Sequence, residues 1–287
     1  MARYLTVGHL LVEDVVLRDG TRALERLGGD AVYAAIGARA FADDVQMVVR
    51  RGRGFPEALT AELAAACLAE GLIPSEHDTI RFWIEMGIED GARYTFQSGN
   101  YADATPSPDE IPEALAARLD AVHIAPVPFD ALLSLVEWAR SRARIVTVDP
   151  HYEHMHRDWE PVLAEIDAFL PSQAEAESLL GGWPGPEEAV RALGAATAAI
   201  KLGTEGSVGT RDGEIVRLPA ATSDPVDPTG CGDAFCGGFL VGLAETGDLR
   251  VAMAYGTVAA GFVASDHGAA HALSIDRSEA LERLAST

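Results

Sequence analysis

Two glycines flank Cys231 within Asp227–Leu240 (Asp-Pro-Thr-Gly-Cys-Gly-Asp-Ala-Phe-Cys-Gly-Gly-Phe-Leu), an acid follows at Asp233, and an apolar run with helical spacing begins directly after. A backbone without bulky side chains can turn several N–H groups toward one anion, and a helix starting there adds the positive end of its dipole. An aspartate in the first turn of that helix then sits beside the bound anion. Phosphoryl transfer asks for both things, donors for developing charge and a base for an attacking hydroxyl.

Four further clusters have chemistry-bearing types. Glu13 and Asp14 are adjacent acids in a strand-like stretch. Gly28-Gly29-Asp30-Ala31-Val32-Tyr33 opens a helix-like run. Ser172 and Glu175 are spaced as a capping box, in which the serine accepts from the N3 amide and the glutamate reaches back to the cap. Lys201-Leu-Gly-Thr-Glu-Gly206 follows a strand, and Lys201 is the only lysine in the chain. His151, His154 and His156 crowd one loop, whose spacing promises no convergent metal geometry. That loop follows Asp149-Pro150 at a strand end, where open α/β sheets bind ligands.

The elements that must hold these residues alternate. Tyr4–Val7, Ala121–Ile124, Ile145–Val148 and Ala198–Ile200 read as strands. Helical patterns cover 31–42, 56–70, 129–142, 161–169, 173–180, 186–196 and 234–245, and Val251–Ala264 reads as a buried helix. Such alternation predicts an α/β fold with a mostly parallel sheet covered on both faces. Val12–Leu24 about Asp19-Gly20, and Thr79–Gln97 about Glu89-Asp90-Gly91, alternate as hairpins. Together they predict a small antiparallel sheet, with the three prolines of 104–112 marking the way back.

The 227–240 stretch resembles the C-terminal signature of the ribokinase-like (PfkB) carbohydrate kinases, with Cys231 in place of the usual small residue. The other clusters fall on that family's remaining elements, so the resemblance covers the chain as one domain, 1–287. It implies a three-layer fold with a β lid from about 10–25 and 78–103, which also serves as a homodimer contact. Gly230, Cys231 and Gly232 become the anion hole and Asp233 the catalytic base. Lys201, Gly203, Gly206, Ser172, Thr257 and Gly268 fall on the nucleotide side. Glu175 matches the acid that organises Mg²⁺ through water. Glu13, Asp14, Gly28, Gly29, Asp30 and Tyr33 fall on the acceptor side. Glu13 matches the family's substrate acid by spacing from Gly8, and Asp14 by residue type. Asp227 and Thr229 match positions that bind a monovalent cation, a role that draws on carbonyls from the segment 263–268, whose polar part is altered here.

The expectation is an ATP-dependent kinase phosphorylating a hydroxyl of a small polyol, since the motif style resembles the branch containing inositol kinases. Asp30 and Tyr33 stand where ribokinases carry lysine and asparagine, which argues against ribose. A nucleoside kinase is the alternative, with Tyr33 stacking on a base; a non-catalytic nucleotide- or sugar-binding relative is the rival from another class. A dehydrogenase built on Gly230 and Gly232 needs a strand directly before them, which Asp-Pro-Val-Asp-Pro opposes. No Gly-x-x-x-x-Gly-Lys-Ser/Thr is present, which excludes a P-loop kinase.

The bulk properties agree. The 287 residues are 48% hydrophobic with a formal net charge of −22, which predicts a sizeable core and no nucleic-acid or anionic-membrane partner. Three cysteines make no disulfide framework, and the N-terminus runs straight into a strand without a signal-like segment, so a cytoplasmic location is expected.

Overall fold

β1 (Tyr4–Gly8) is buried along its whole length, as a strand covered on both faces must be. The computed structural model describes residues 3–17, 19–88 and 91–287. The remaining strands are β2 (Leu11–Val16), β3 (Arg22–Gly28), β4 (Val45–Arg53), β5 (Leu72–Asp78), β6 (Ile80–Ile88), β7 (Gly91–Ser98), β8 (Leu119–Ile124), β9 (Ala143–Val148), β10 (Ala168–Phe169), β11 (Thr197–Lys201), β12 (Ser207–Arg211) and β13 (Glu214–Leu218). Nine of them form one sheet in the order β13-β12-β11-β10-β9-β8-β1-β4-β5. Pairing is parallel from β11 to β5, and β12 and β13 close one edge antiparallel.

The sheet separates two apolar layers. Tyr4 faces helices Asp30–Arg39, Cys231–Thr246 and Leu249–Val263. Leu5 and Val7 face helix Phe129–Arg142 and the helices that follow it on the opposite side. The second sheet runs β3-β2-β6-β7. It consists of two antiparallel hairpins joined by parallel pairing of β2 with β6. The first hairpin turns at Asp19-Gly20 as expected, with Gly20 N–H donating to Leu17 O at 2.9 Å and Gly20 at φ 85°. Of the second turn, Glu89 and Asp90 lie outside the described residues.

One predicted element is corrected. The apolar stretch 161–169 yields a helix only over Glu160–Leu163, and Ala168–Phe169 becomes β10. Asp167 explains the change: its N–H donates to Val146 O at 2.8 Å and its carboxylate accepts from Val146 N–H at 2.8 Å. These bonds draw the chain into the gap between β9 and β11. The strands β4, β5, β12 and β13 carry no separate prediction from the sequence.

Helices Asp30–Arg39 and Cys231–Thr246 meet backbone to backbone. A Cβ on Gly37 would collide with the Ala234 carbonyl, and one on Gly237 with the Ala34 carbonyl. Interiors at crystal-like density cannot absorb an added methyl where backbone faces backbone. Gly237→Ala is therefore expected to cost about 2 kcal/mol of stability, read as a lower urea midpoint at unchanged m-value. A midpoint at the wild-type value would show that the seam tolerates a side chain.

Candidate active site

Helix Cys231–Thr246 begins at Gly230, whose left-handed φ of 75° only glycine adopts without strain. The Tyr33 ring fills the space a Gly230 side chain would need. The first turn of any helix leaves N–H groups without intrahelical partners. Cys231 N–H turns back to Pro228 O at 3.2 Å. The N–H groups of Gly232 and Asp233 take no acceptor among the described residues. Of the three residues expected to form an anion hole, Gly230 thus shapes the turn, and the vacant donors belong to Gly232 and its neighbour Asp233. The Cys231 thiol, half-buried, is pushed up to about 12 by burial and by the Asp227 and Asp233 carboxylates, so it is a neutral thiol rather than a nucleophile.

Lys201 ends β11 and reaches under this helix start: a Cβ on Gly232 would lie 3.7 Å from its Nζ. The ammonium pairs with Asp149, which follows β9, and stands 3.5 Å from Cys236 Sγ. Burial works against the Lys201 charge, but Asp149, Cys236, Glu175 and Asp233 together raise its pKa, so the ammonium is held charged. Asp233 is raised well above the ordinary carboxylate value, by burial first and then by Asp149 and Asp30, with Lys201 opposing. The sequence reading missed Asp149 as a site residue; its signal was its place at the carboxyl end of a parallel strand.

Asp233, Gly232, Cys231, Lys201, Asp149, Ser172, Glu175, Gly203, Gly206 and Thr257 all line one cavity of about 410 Å³. Its far wall is apolar, formed by Ala220, Ala221, Pro225, Ala260, Gly261 and Ala264. Ser172 and Glu175 form the capping box the spacing predicts, with Ser172 N–H donating to Glu175 Oε2 at 2.6 Å and Glu175 N–H to Ser172 Oγ at 3.3 Å. Capping fixes Glu175 at the cavity rim. Gly206, at φ 92°, lies so close to the Leu218 carbonyl that no side chain fits. Gly268 does not line this cavity; its N–H donates to Asp227 Oδ2 at 3.2 Å.

On the other side of Asp233, Asp30 opens helix Asp30–Arg39. Its Oδ1 accepts from His9 N–H and Ala31 N–H, both at 2.6 Å, and its Oδ2 meets His9 Nδ1 at 2.8 Å. His9 in turn reaches Thr105 Oγ1 at 2.8 Å and packs on Tyr101 at 4.9 Å between ring centroids. Tyr101 also meets His151 at 4.9 Å and Phe96 of β7 at 5.4 Å. The histidine loop is therefore not wholly solvated: His151 closes an aromatic row beside Asp30, while His156 is exposed. Gly29 at φ 122° and Gly28 bring backbone against His9 and Glu13 too closely for any side chain. Glu13 and Asp14 separate, as strand alternation requires. Glu13 packs over Gly28, whereas Asp14 accepts from Glu25 N–H at 2.8 Å and pairs with Arg81 Nε at 3.0 Å. Asp14 thus braces the small sheet, whereas Glu13 turns to the other face, over Gly28 and opposite Arg26. Burial raises Glu13 to about 8, with Arg26 opposing and Asp227 adding to the rise.

The pair Asp227 and Thr229 does not fit a monovalent metal cation. Asp227 is buried and accepts from Thr229 N–H at 2.9 Å and Gly268 N–H at 3.2 Å. Arg26 Nη1 lies 3.9 Å from the same carboxylate, so a guanidinium already supplies the positive charge there.

A ligand cleft at the carboxyl ends of a doubly covered parallel sheet defines an α/β enzyme of the open-sheet class. The chain belongs to the pfkB family of carbohydrate kinases, whose family model matches residues 5–276, and it is a phosphotransferase acting on hydroxyl groups. A cytidine kinase from Thermococcus kodakarensis is 26% identical over 263 residues, spanning 84% of this chain and 88% of its own. The nucleoside kinase of Methanocaldococcus jannaschii, a solved structure, superposes with a TM-score of 0.76 over 99% of both chains at 18% identity. An Escherichia coli protein called ribokinase II, solved with ATP and Mg²⁺, gives 0.78 over 100% of both chains at 19% identity. These structures share the fold, and the ribokinase-like architecture expected from the motifs is present. Among the described residues no helix is long and apolar enough to cross a membrane.

Proposed function

We propose that the protein is an ATP-dependent kinase that transfers the γ-phosphoryl group to a hydroxyl of a small polyol, with Asp233 as general base. The reading rests on one convergence: the Asp233 carboxylate, two vacant helix-start N–H groups and the Lys201 ammonium all meet about Gly232. Nucleotide in the 410 Å³ cavity would lay its base on the apolar wall and its terminal phosphate at Lys201 and Gly232. The acceptor would approach from the Asp30 side, its hydroxyl giving up a proton to Asp233 as the phosphorus–oxygen bond forms. The Gly232 and Asp233 N–H groups and Lys201 then stabilise the charge on the transferring group.

Mg²⁺ would be held by Glu175 and Asp149. Asp149 Oδ1 is buried without a hydrogen-bond partner among the described residues, as an oxygen that would take a cation or its water is. No group of three His, Cys, Asp or Glu is gathered into a cage among the described residues. That suits an ion which keeps its waters and takes its other ligands from phosphates. An ion held there would supply positive charge against the developing charge of the phosphates.

A second reading has a specific observation in its favour. The row Phe96, Tyr101 and His151 beside Asp30 offers faces on which a planar base would stack, as in a nucleoside acceptor. Tyr33, fully buried with its ring covered by Gly230, offers none and is corrected from stacking residue to core. The small sheet would then act as the lid, and Leu24, exposed on its edge strand β3, would belong to the homodimer contact. Coupled ADP release over polyols, sugars and nucleosides, each with Asp233→Asn as control, tests both readings. Turnover confined to nucleosides would select the second. No Asp233-dependent turnover with any class would overturn the kinase reading in favour of a binding protein.

A further inference from the structure

Arg26 projects from β3 directly across from Glu13 on β2, so the two side chains share one face of the small sheet. Its guanidinium is mostly buried, and among the described residues neither terminal nitrogen has a hydrogen-bond partner. It lies against the α-carbon of Gly268, where a side chain would collide with it. Nη1 faces Asp227 Oδ2 at 3.9 Å, and His267 Nδ1 approaches the same oxygen at 3.6 Å. Asp227 is thus the knot of two loops: one oxygen holds the Thr229 N–H of the turn entering the anion hole, and the other holds the Gly268 N–H. Two buried acids, Glu13 across the strand pair and Asp227 in the loop, flank one permanently charged guanidinium. Without it the buried Asp227 carboxylate would lose the guanidinium beside it, and Glu13 would lose the one charge that opposes its rise, so the Asp227 side chain would be freer to turn away. Glu13 also packs on Gly28, in the backbone turn next to Asp30.

We infer that Arg26 is a positioning residue that couples the acceptor side of the small sheet, through Glu13, to the anion-hole loop, through Asp227. It acts without touching phosphate or base. A shift of β3 on acceptor binding moves the guanidinium toward or away from Asp227, and with it the Thr229 turn that leads into Gly230. The kinetic part of this inference rests on the phosphotransfer reading; the structural part does not.

The test uses Arg26→Ala and Arg26→Lys in the full chain. In Arg26→Ala, residue-resolved amide exchange at Thr229 and Gly268 should quicken by about tenfold. kcat should fall by about tenfold or more while the KM for nucleotide moves by less than about threefold. Added guanidinium ion should restore part of the lost kcat by occupying the vacated space, an effect that mere unfolding would not show. Arg26→Lys keeps charge but not the planar fork, and should fall between wild type and alanine in both readouts. It carries the test alone if the alanine variant does not fold. Wild-type exchange at both amides in a folded variant would overturn the inference, as would a kcat loss indifferent to guanidinium. A failure of the kinase reading would look different, with no turnover in wild type and the exchange effect intact.

Discussion

Asp233→Asn is expected to lower kcat by about 10²–10⁴-fold while nucleotide affinity changes by less than about twofold. The substitution keeps the size of the side chain and leaves the Gly232 and Asp233 N–H groups where they are, but removes the one atom pair able to accept a proton. The pH profile gives a second signature. Transfer needs the carboxylate, and burial together with Asp149 and Asp30 lifts the pKa of Asp233 well above its ordinary 3.8. Raising the pKa moves loss of the carboxylate to higher pH. The acid limb of kcat/KM, which reports the free enzyme, should therefore fall at a pH well above the usual carboxylate range, and Asp233→Asn should abolish that limb. A variant keeping more than about a tenth of wild-type turnover is incompatible with loss of a general base.

Lys201→Met should damage stability and catalysis together, and a second substitution should separate the two. Asp149 and the Lys201 ammonium are both largely buried. Breaking such a pair from one side strands a charge and costs about 3–5 kcal/mol, whereas removing both charges is often nearly neutral. Asp149→Asn/Lys201→Met is therefore expected to recover most of the lost stability. It should recover none of the activity, with kcat/KM for nucleotide remaining about 100-fold or more below wild type, because the charge beside Gly232 is still missing. Melting curves and steady-state kinetics on the single and double variants decide the matter. Recovery of activity along with stability would reduce Lys201 to a structural ion.

Much of this arrangement was legible in the chain because it depends on local chemistry. The glycines of 230–232 announce a left-handed turn into a helix, and Ser172 with Glu175 announces a capped one. What stayed hidden depends on distance or on a single register step. Asp149 and Lys201 stand 52 residues apart and meet only because β9 and β11 flank the two-residue β10. A two-residue strand has no periodicity to read, and short apolar stretches such as 161–169 suit helix and strand alike. The choice between Glu13 and Asp14 turned on one step of alternation, which sends neighbours to opposite faces. The part played by Arg26 had no local signal, because its partner lies in a loop at the far end of the chain.

The glycine seam between helices Asp30–Arg39 and Cys231–Thr246 acts as a fixed gauge. In the proposed reading each helix carries one half of the chemistry at its first turn, the acceptor cradle at Asp30 and the base at Asp233, and Tyr33 is pressed on Gly230 between them. With carbonyls seated in the notches left by Gly37 and Gly237, neither helix can slide along the other without first separating from it. The span from cradle to base is thereby set by main chain alone and is the same whatever molecule occupies the cleft. A change of acceptor in this scaffold must come from side chains on the small sheet and the histidine loop, because the ruler against which they measure a substrate has no adjustable part.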